Sequence, residues 1–188
     1  MQCAFSRRDA RPRRRCWPLI LGIVLLVCAC QTKEAPLSPG AAAFKKEVKQ
    51  CLVTLATPLV EPLLKNDLAA ISAVLEKVEP QAIKLCRMCP FRIGVLNGYG
   101  EALAVHPPRR GDKRDFSDYN LVIKTINTRR IQQQRFFLQN GSQIYIICVP
   151  IFHEDNVIGL VAIVINAEEA QQRWGLTDQE FLSVNFNE

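Results

Sequence analysis

Apolar residues recur along the chain in two different rhythms. From Ala41, Phe44, Val48, Cys51, Leu55 and Leu59 fall at three- and four-residue steps with Lys45, Lys46, Glu47 and Lys49 between them, the period of an amphipathic helix. Pro58 and Pro62 each remove a backbone donor and crowd the preceding turn, which predicts a kink or break. Asn66 then caps a second helix, in which Leu68, Ile71, Leu75 and Val78 share a face until Pro80. Such a stripe packs into a core, and a long helix that carries one can also pair with a copy of itself.

After Cys86-Arg-Met-Cys89-Pro90 the period shortens to that of strands. Residues 92–96, the turn Asn97-Gly98 and residues 100–105 predict a hairpin, because Asn-Gly supplies the positive φ angles of a tight reversal. Residues 106–119, HPPRRGDKRDFSDY, have no apolar period and read as a loop. Leu121 to Ile126 predicts a short helix. Residues 131–138, the turn Asn140-Gly141 and residues 143–149 predict a second hairpin, and Asp155-Asn156 turns the chain into Val157 to Ile165. That last run, VIGLVAIVI, is apolar on both faces and suits a central strand covered on both sides. Asn166 opens a helix over 167–174, and Thr177-Asp-Gln-Glu180 is a capping box before Phe181. The fold class is α+β: a central antiparallel sheet, a long N-terminal helix and short C-terminal helices.

The first forty residues change the charge balance. Arg7, Arg8, Arg11, Arg13, Arg14 and Arg15 against Asp9 lead into an apolar run, Trp17 to Ala29, of 13 residues. A bilayer span takes about 20, so residues 1–29 read as a secretory signal rather than an anchor. Without that segment the 24 basic and 18 acidic residues become 18 and 17, a net of +1, and the charge case for nucleic-acid binding disappears. Leu26-Val27-Cys28-Ala29-Cys30 resembles a bacterial lipobox, with Cys28 departing from its usual small or hydroxyl residue. The resemblance implies lipid on Cys30 and, with Gln31 next, the outer rather than the inner membrane. The alternative is an ordinary signal cut near Ala29, with Cys30 an incidental thiol. Residues 30–40, with Pro36, Ser38, Pro39 and Gly40, read as a flexible tether to a single domain over 41–188.

Four cysteines remain in that domain, Cys51, Cys86, Cys89 and Cys148. An exported protein meets oxidising conditions, and four thiols allow three connectivities. Cys86-x-x-Cys89 leads into a strand rather than opening a helix as a thioredoxin-type pair does, and Pro90 stands where haem attachment needs His. No spacing of Cys51, Cys148, His106 and His153 recommends a zinc site, so no metal and no cofactor is expected. A structural Cys86–Cys89 disulfide is the expectation; an envelope thiol-disulfide redox protein using the pair is the runner-up.

The order of elements, and in particular NDLAAISAVLEKV (66–78), IGVLNGYGEALAVHPP (93–108), DFSDYNLVIKTI (115–126) and IYIICVPIFHEDNVIGLVAIVI (144–165), resembles the extracytoplasmic Cache fold, a relative of PAS sensor domains. The resemblance implies a small-molecule sensor in signal transduction. Its ligand would sit between the curved sheet and the loops over it and bias the long helix between two arrangements. Cache domains commonly belong to receptors with a transmembrane helix and a cytoplasmic transmitter, and neither is visible here, so the reading requires a receptor or transporter partner. It also places the domain on the periplasmic side of the cell envelope.

Arg135 and Tyr145 from the sheet, with Asp118 and Tyr119 from the loop, are the polar groups expected to reach that pocket. Arg offers a rigid fork for a carboxylate and Tyr joins an apolar face to a polar tip, a composition suited to a small organic anion. The Arg-x-Trp-Tyr-like motif of amino-acid-binding Cache domains is absent. Arg109, Arg110, Lys113 and Arg114, diluted by Asp112 and Asp115, read as a solvated loop. No Ser-His-Asp spacing, carboxylate pair or phosphate-cradling loop points to an enzyme. A third reading is a structural dimerisation module, a homodimer whose pocket is filled by its own side chains.

Overall fold

The computed structural model describes residues 36–87, 89, 92–108 and 115–188. The signal segment, Cys30, most of the tether and the basic residues 109–114 lie outside these.

Helix α1 spans Pro39–Lys65. Its N-cap is Ser38, whose hydroxyl accepts from the Ala41 amide at 3.2 Å, and Pro39 occupies the first turn, where its missing N–H costs nothing. The helix therefore takes in Pro39 and Gly40, which the sequence reading assigned to the tether. Pro58 and Pro62 do not break it. The carbonyls they leave without a helical donor belong to Thr54 and Pro58, both exposed to water, while Leu55, Leu59 and Leu63 on the other side are buried. Burying each of these leucines contributes roughly 1.5–3 kcal/mol, comparable with the roughly 3 kcal/mol an interior proline costs. Asn66 ends α1 in the left-handed conformation (φ 51°) instead of opening the next helix. Asp67 takes that role: its carboxylate accepts from the Ala70 amide at 3.0 Å at the start of α2, Leu68–Leu85. Helix α2 runs on through Pro80, for the same reason: the freed carbonyl belongs to exposed Glu76.

The five strands are β1 (Ile93–Asn97), β2 (Ala102–His106), β3 (Gln132–Phe137), β4 (Gln143–His153) and β5 (Asn156–Asn166), all antiparallel in the order β2-β1-β5-β4-β3. The strand read as central is central. The β1–β2 reversal is longer than a two-residue turn. The Asn97 side-chain oxygen accepts from the amides of Tyr99 and Glu101, both at 3.0 Å, and the positive φ falls on Gly100 (93°), not on the Asn-Gly pair. Helix α3, Asn120–Thr128, joins β2 to β3, and α4 (Ala167–Trp174) and α5 (Asp178–Ser183) close the chain. Asn166 caps α4, accepting from Glu169, and Thr177 and Glu180 form the expected capping box.

Strand alternation sorts the apolar residues into two compartments. Val161, Ile163 and Ile165 of β5, with Tyr145, Ile147 and Val149 of β4, meet α1, α2, α4 and α5 in the main core. At its edge Phe44 makes edge-to-face contacts with Trp174, Phe181 and Phe186 at centroid distances of 5.2, 6.3 and 6.1 Å. Gly40 allows the first turn of α1 to close onto α4: a Cβ built there would lie 1.7 Å from the Trp174 carbonyl oxygen. Leu160 and Ala162 of β5 and Cys148 of β4 point to the opposite face, under α3. Every described helix and strand and all three hydrophobic clusters fall within Leu37–Glu188, a compact unit that carries its own core. Among the described residues no helix is long and apolar enough to cross a membrane.

Candidate functional site

The α3 face of the sheet holds a cavity of about 270 Å³. All five strands line it: Leu96 of β1, Ala102 and Val105 of β2, Ala162 and Val164 of β5, Ile144, Ile146 and Cys148 of β4, and Phe136 of β3. Phe116 and Tyr119, from the segment before α3, and Leu121 and Val122, in its first turn, close it from above. Phe116 and Tyr119 meet edge to face at 5.4 Å, and the Tyr119 ring lies 6.3 Å from that of Phe136. Small side chains leave this space: Gly94 and Ala162 are cross-strand partners at its centre. The third sequence reading, a pocket filled by the chain's own side chains, does not describe this face.

Of the four polar residues expected here, only Tyr119 lines the cavity. Asp118 is exposed just before α3 and does not line it. Arg135 and Tyr145 are cross-strand partners and so share a face, but it is the helix-covered one. There they converge on Asp178, at the start of α5. The Tyr145 hydroxyl donates to Asp178 Oδ1 at 2.6 Å, Gln143 donates to the same oxygen, and Arg135 pairs with Oδ2. The Tyr145 ring stacks on Phe181 at 4.0 Å with 9° between planes. The Tyr145 hydroxyl, followed by Arg135 and Gln143, holds the Asp178 carboxyl below the usual carboxylate range. Burial, then Asp178 itself, pushes the Tyr145 phenol up. The guanidinium fork expected to bind an anionic ligand is thus engaged by Asp178, on the face of the sheet away from this cavity. A shift of one residue along a strand exchanges the faces, so choosing Tyr145 rather than Ile144 or Ile146 sufficed to miss the cavity. Gly94 and Ala162, small residues on otherwise bulky strands, were the available signal.

Cys86 and Cys89 are bonded, the expected pair, while Cys51 and Cys148 remain free, so none of the three full connectivities is formed. Cys86 is fully buried and Cys89 nearly so, packed against Ile144 and Val164 at one end of the cavity floor. Cys86 also stands at the C-terminal cap of α2, where the negative end of the helix dipole disfavours a thiolate. Reactive Cys-x-x-Cys pairs have the reverse placement and an accessible sulfur. The Arg87 amide donates to both carboxylate oxygens of Glu169 at 2.9 and 3.0 Å, and Arg92 Nε donates to the Cys86 carbonyl at 2.8 Å, fixing this corner to α4 and β1. Cys51 and Cys148 are free and buried on opposite faces of the sheet, and burial pushes both thiols up to about 11. His106 lies beside Glu79, Nε2 to Oε1 3.3 Å without hydrogen-bond alignment, and His153 is exposed; neither lines the cavity. Among the described residues no three His, Cys, Asp or Glu side chains gather as metal ligands would.

No protein-family model and no curated protein matches the sequence. Solved structures do match the fold. A domain described as that of a sensory box/GGDEF family protein from Vibrio parahaemolyticus superposes with a TM-score of 0.55 at 13% identity, over 75% of this chain and 61% of that one. The ligand-binding domain of the Pseudomonas fluorescens chemoreceptor CtaA, in complex with L-isoleucine, gives 0.53 at 11% identity, over 71% and 55%. The extracellular domain of a protein described as the histidine kinase vpHK1S-Z8 gives 0.52 at 13%, over 75% and 58%. The chain thus spans less than two thirds of the length of each of these domains. At these identities the likeness is one of fold: five antiparallel strands with helices in the arrangement of PAS- and Cache-like sensor domains.

Proposed function

We propose that this chain is an extracytoplasmic small-molecule-binding domain, held at the membrane by lipid on Cys30, that passes its ligand state to a membrane-bound partner. The cavity beneath α3 carries this reading. It is concave, lined by all five strands and closed by the segment 116–122, and it lies on the opposite side of the sheet from the long helix α1. Strands β4 and β5 belong to both compartments, so a ligand that makes different contacts in two arrangements of the cavity floor also biases the packing against α1. The solved domains of similar fold include one holding L-isoleucine and one from a histidine kinase, which agrees with a binding role. Burial of both Cys86 and Cys89 weighs against the thiol-redox alternative.

The test has two parts. Small metabolites screened by thermal shift are expected to include a compound that raises the melting temperature, because a ligand of the folded state stabilises it by mass action. Crosslinking and pull-down of the acylated protein from its own membranes is expected to recover an envelope partner. Absence of any stabilising compound would remove the binding role. Mass spectrometry showing an unmodified Cys30 in the mature protein would remove the anchor.

A further inference from the structure

We infer that the ligand of this cavity is an uncharged, hydrocarbon-rich small molecule rather than an amino acid, carboxylate or other ion; the inference rests on the binding role proposed above and narrows it.

Charge is the first observation. Among the described residues that line the cavity, none is ionised at neutral pH: its polar side-chain groups are the hydroxyl of Tyr119 and the thiol of Cys148, and burial keeps that thiol protonated. The floor strands β1, β5 and β4 are interior to the sheet, so their amides and carbonyls are engaged in ladders on both sides. A carboxylate or ammonium moved from water into such a lining loses its hydration and meets no opposite charge on the described lining residues. Arg135, the guanidinium that could receive an anion, is on the far face and engaged by Asp178.

Size is the second. At about 270 Å³ the space is nearly twice an apolar cavity of about 150 Å³ that accepts benzene and stays free of water. A fused aromatic bicycle or a medium-length alkyl chain fills it; a lone water gains almost no polar partners there. Shape follows from the aromatic residues. Phe116, Tyr119 and Phe136 line the space with aromatic rings, against which a planar or linear hydrocarbon can pack.

The test uses Leu37–Glu188, which contains the whole core, with 13C-labelled Ile, Leu and Val methyl groups. Probes are indole and octan-1-ol, with octanoate and L-isoleucine as charged counterparts, all at pH 7.5. The sheet supplies its own control, because Leu96, Ile146 and Val164 face the cavity whereas Ile147, Val161 and Ile163 face the helices. Indole or octan-1-ol is expected to give saturable shifts concentrated at the first three residues. Octanoate, the same chain length with a charge, is expected to bind at least 100-fold more weakly than octan-1-ol. Ala162→Leu, which places a larger side chain in the centre of the space, is expected to weaken octan-1-ol at least tenfold; the wild-type methyl map stands without it if that variant fails to fold. Octanoate or isoleucine binding at the cavity methyls as tightly as octan-1-ol would overturn the uncharged class and leave the binding role intact. If no probe gives saturable shifts at those methyls, the uncharged class falls. The binding role is then decided by the metabolite screen.

Discussion

Tyr145 and Asp178 offer a direct check on which face of β4 each side chain occupies. Tyr145→Phe removes one oxygen, 2.6 Å from Asp178 Oδ1, and leaves the stack on Phe181 in place. A hydrogen bond to a charged group contributes about 1.5–3 kcal/mol, and that is the expected loss. Asp178→Ala also strands the Gln143 amide and releases Arg135. The Arg135 pair is more than a third exposed on both sides, so it adds only about 0–1 kcal/mol, and the total for Asp178→Ala is about 2–4 kcal/mol. A double-mutant cycle in urea should therefore give a coupling of at least about 1.5 kcal/mol between Tyr145 and Asp178, against less than about 1 kcal/mol between Arg135 and Asp178. The cycle also has a pH signature. The Asp178 carboxyl titrates below its usual value when folded, so its contribution is fully present above the unfolded carboxylate range, near pH 4, and is lost as pH falls through the depressed folded value. Coupling that is absent at pH 7, or that persists unchanged once the carboxylate is protonated, would refute the placement of this trio on the helix-covered face.

Three further outcomes are expected. Gly40→Ala, which helix propensity alone would make stabilising by about 0.5–1 kcal/mol, should instead lower stability by about 1–3 kcal/mol because its Cβ meets the Trp174 carbonyl; a raised melting temperature would contradict that close approach. Reducing the Cys86–Cys89 bond, which closes a loop of sequence separation 3, should cost about 2 kcal/mol by chain entropy, read as a lower melting temperature in dithiothreitol and its absence in Cys86→Ala/Cys89→Ala. Cys51 and Cys148 should stay silent to an aromatic disulfide reagent at pH 7.5 in the native protein and react fully in denaturant; rapid native labelling would show that one of them is exposed.

Period and capping chemistry made most of this fold legible in the sequence. The two-sided apolar run 157–165 marks the middle of the sheet, and Asn166 and Thr177-x-x-Glu180 mark the closing helices, because each signal is local and its physics does not depend on partners. The interior prolines misled: their cost is local, whereas the leucine contacts that offset it are tertiary. Asn66 and Asp67 show a finer failure. Both residue types cap helices, and the choice between ending α1 and starting α2 is settled by φ, which composition does not carry. The site was less legible than the fold. Sequence reasoning looked for polar groups with a reason to hold a ligand and found Arg135, Tyr145, Asp118 and Tyr119, of which Tyr119 lines the cavity. The cavity is instead defined by where bulk is missing, at Gly94 and Ala162, and by a parity that a strand's own alternation leaves undetermined when both faces are apolar.

That two-sided alternation also has an evolutionary consequence. Positions 162 and 164 and positions 161, 163 and 165 of β5 answer to different demands: the first set lines the cavity, the second packs against the helices. Mutation can therefore reshape the cavity along one register while the interleaved register holds the scaffold constant.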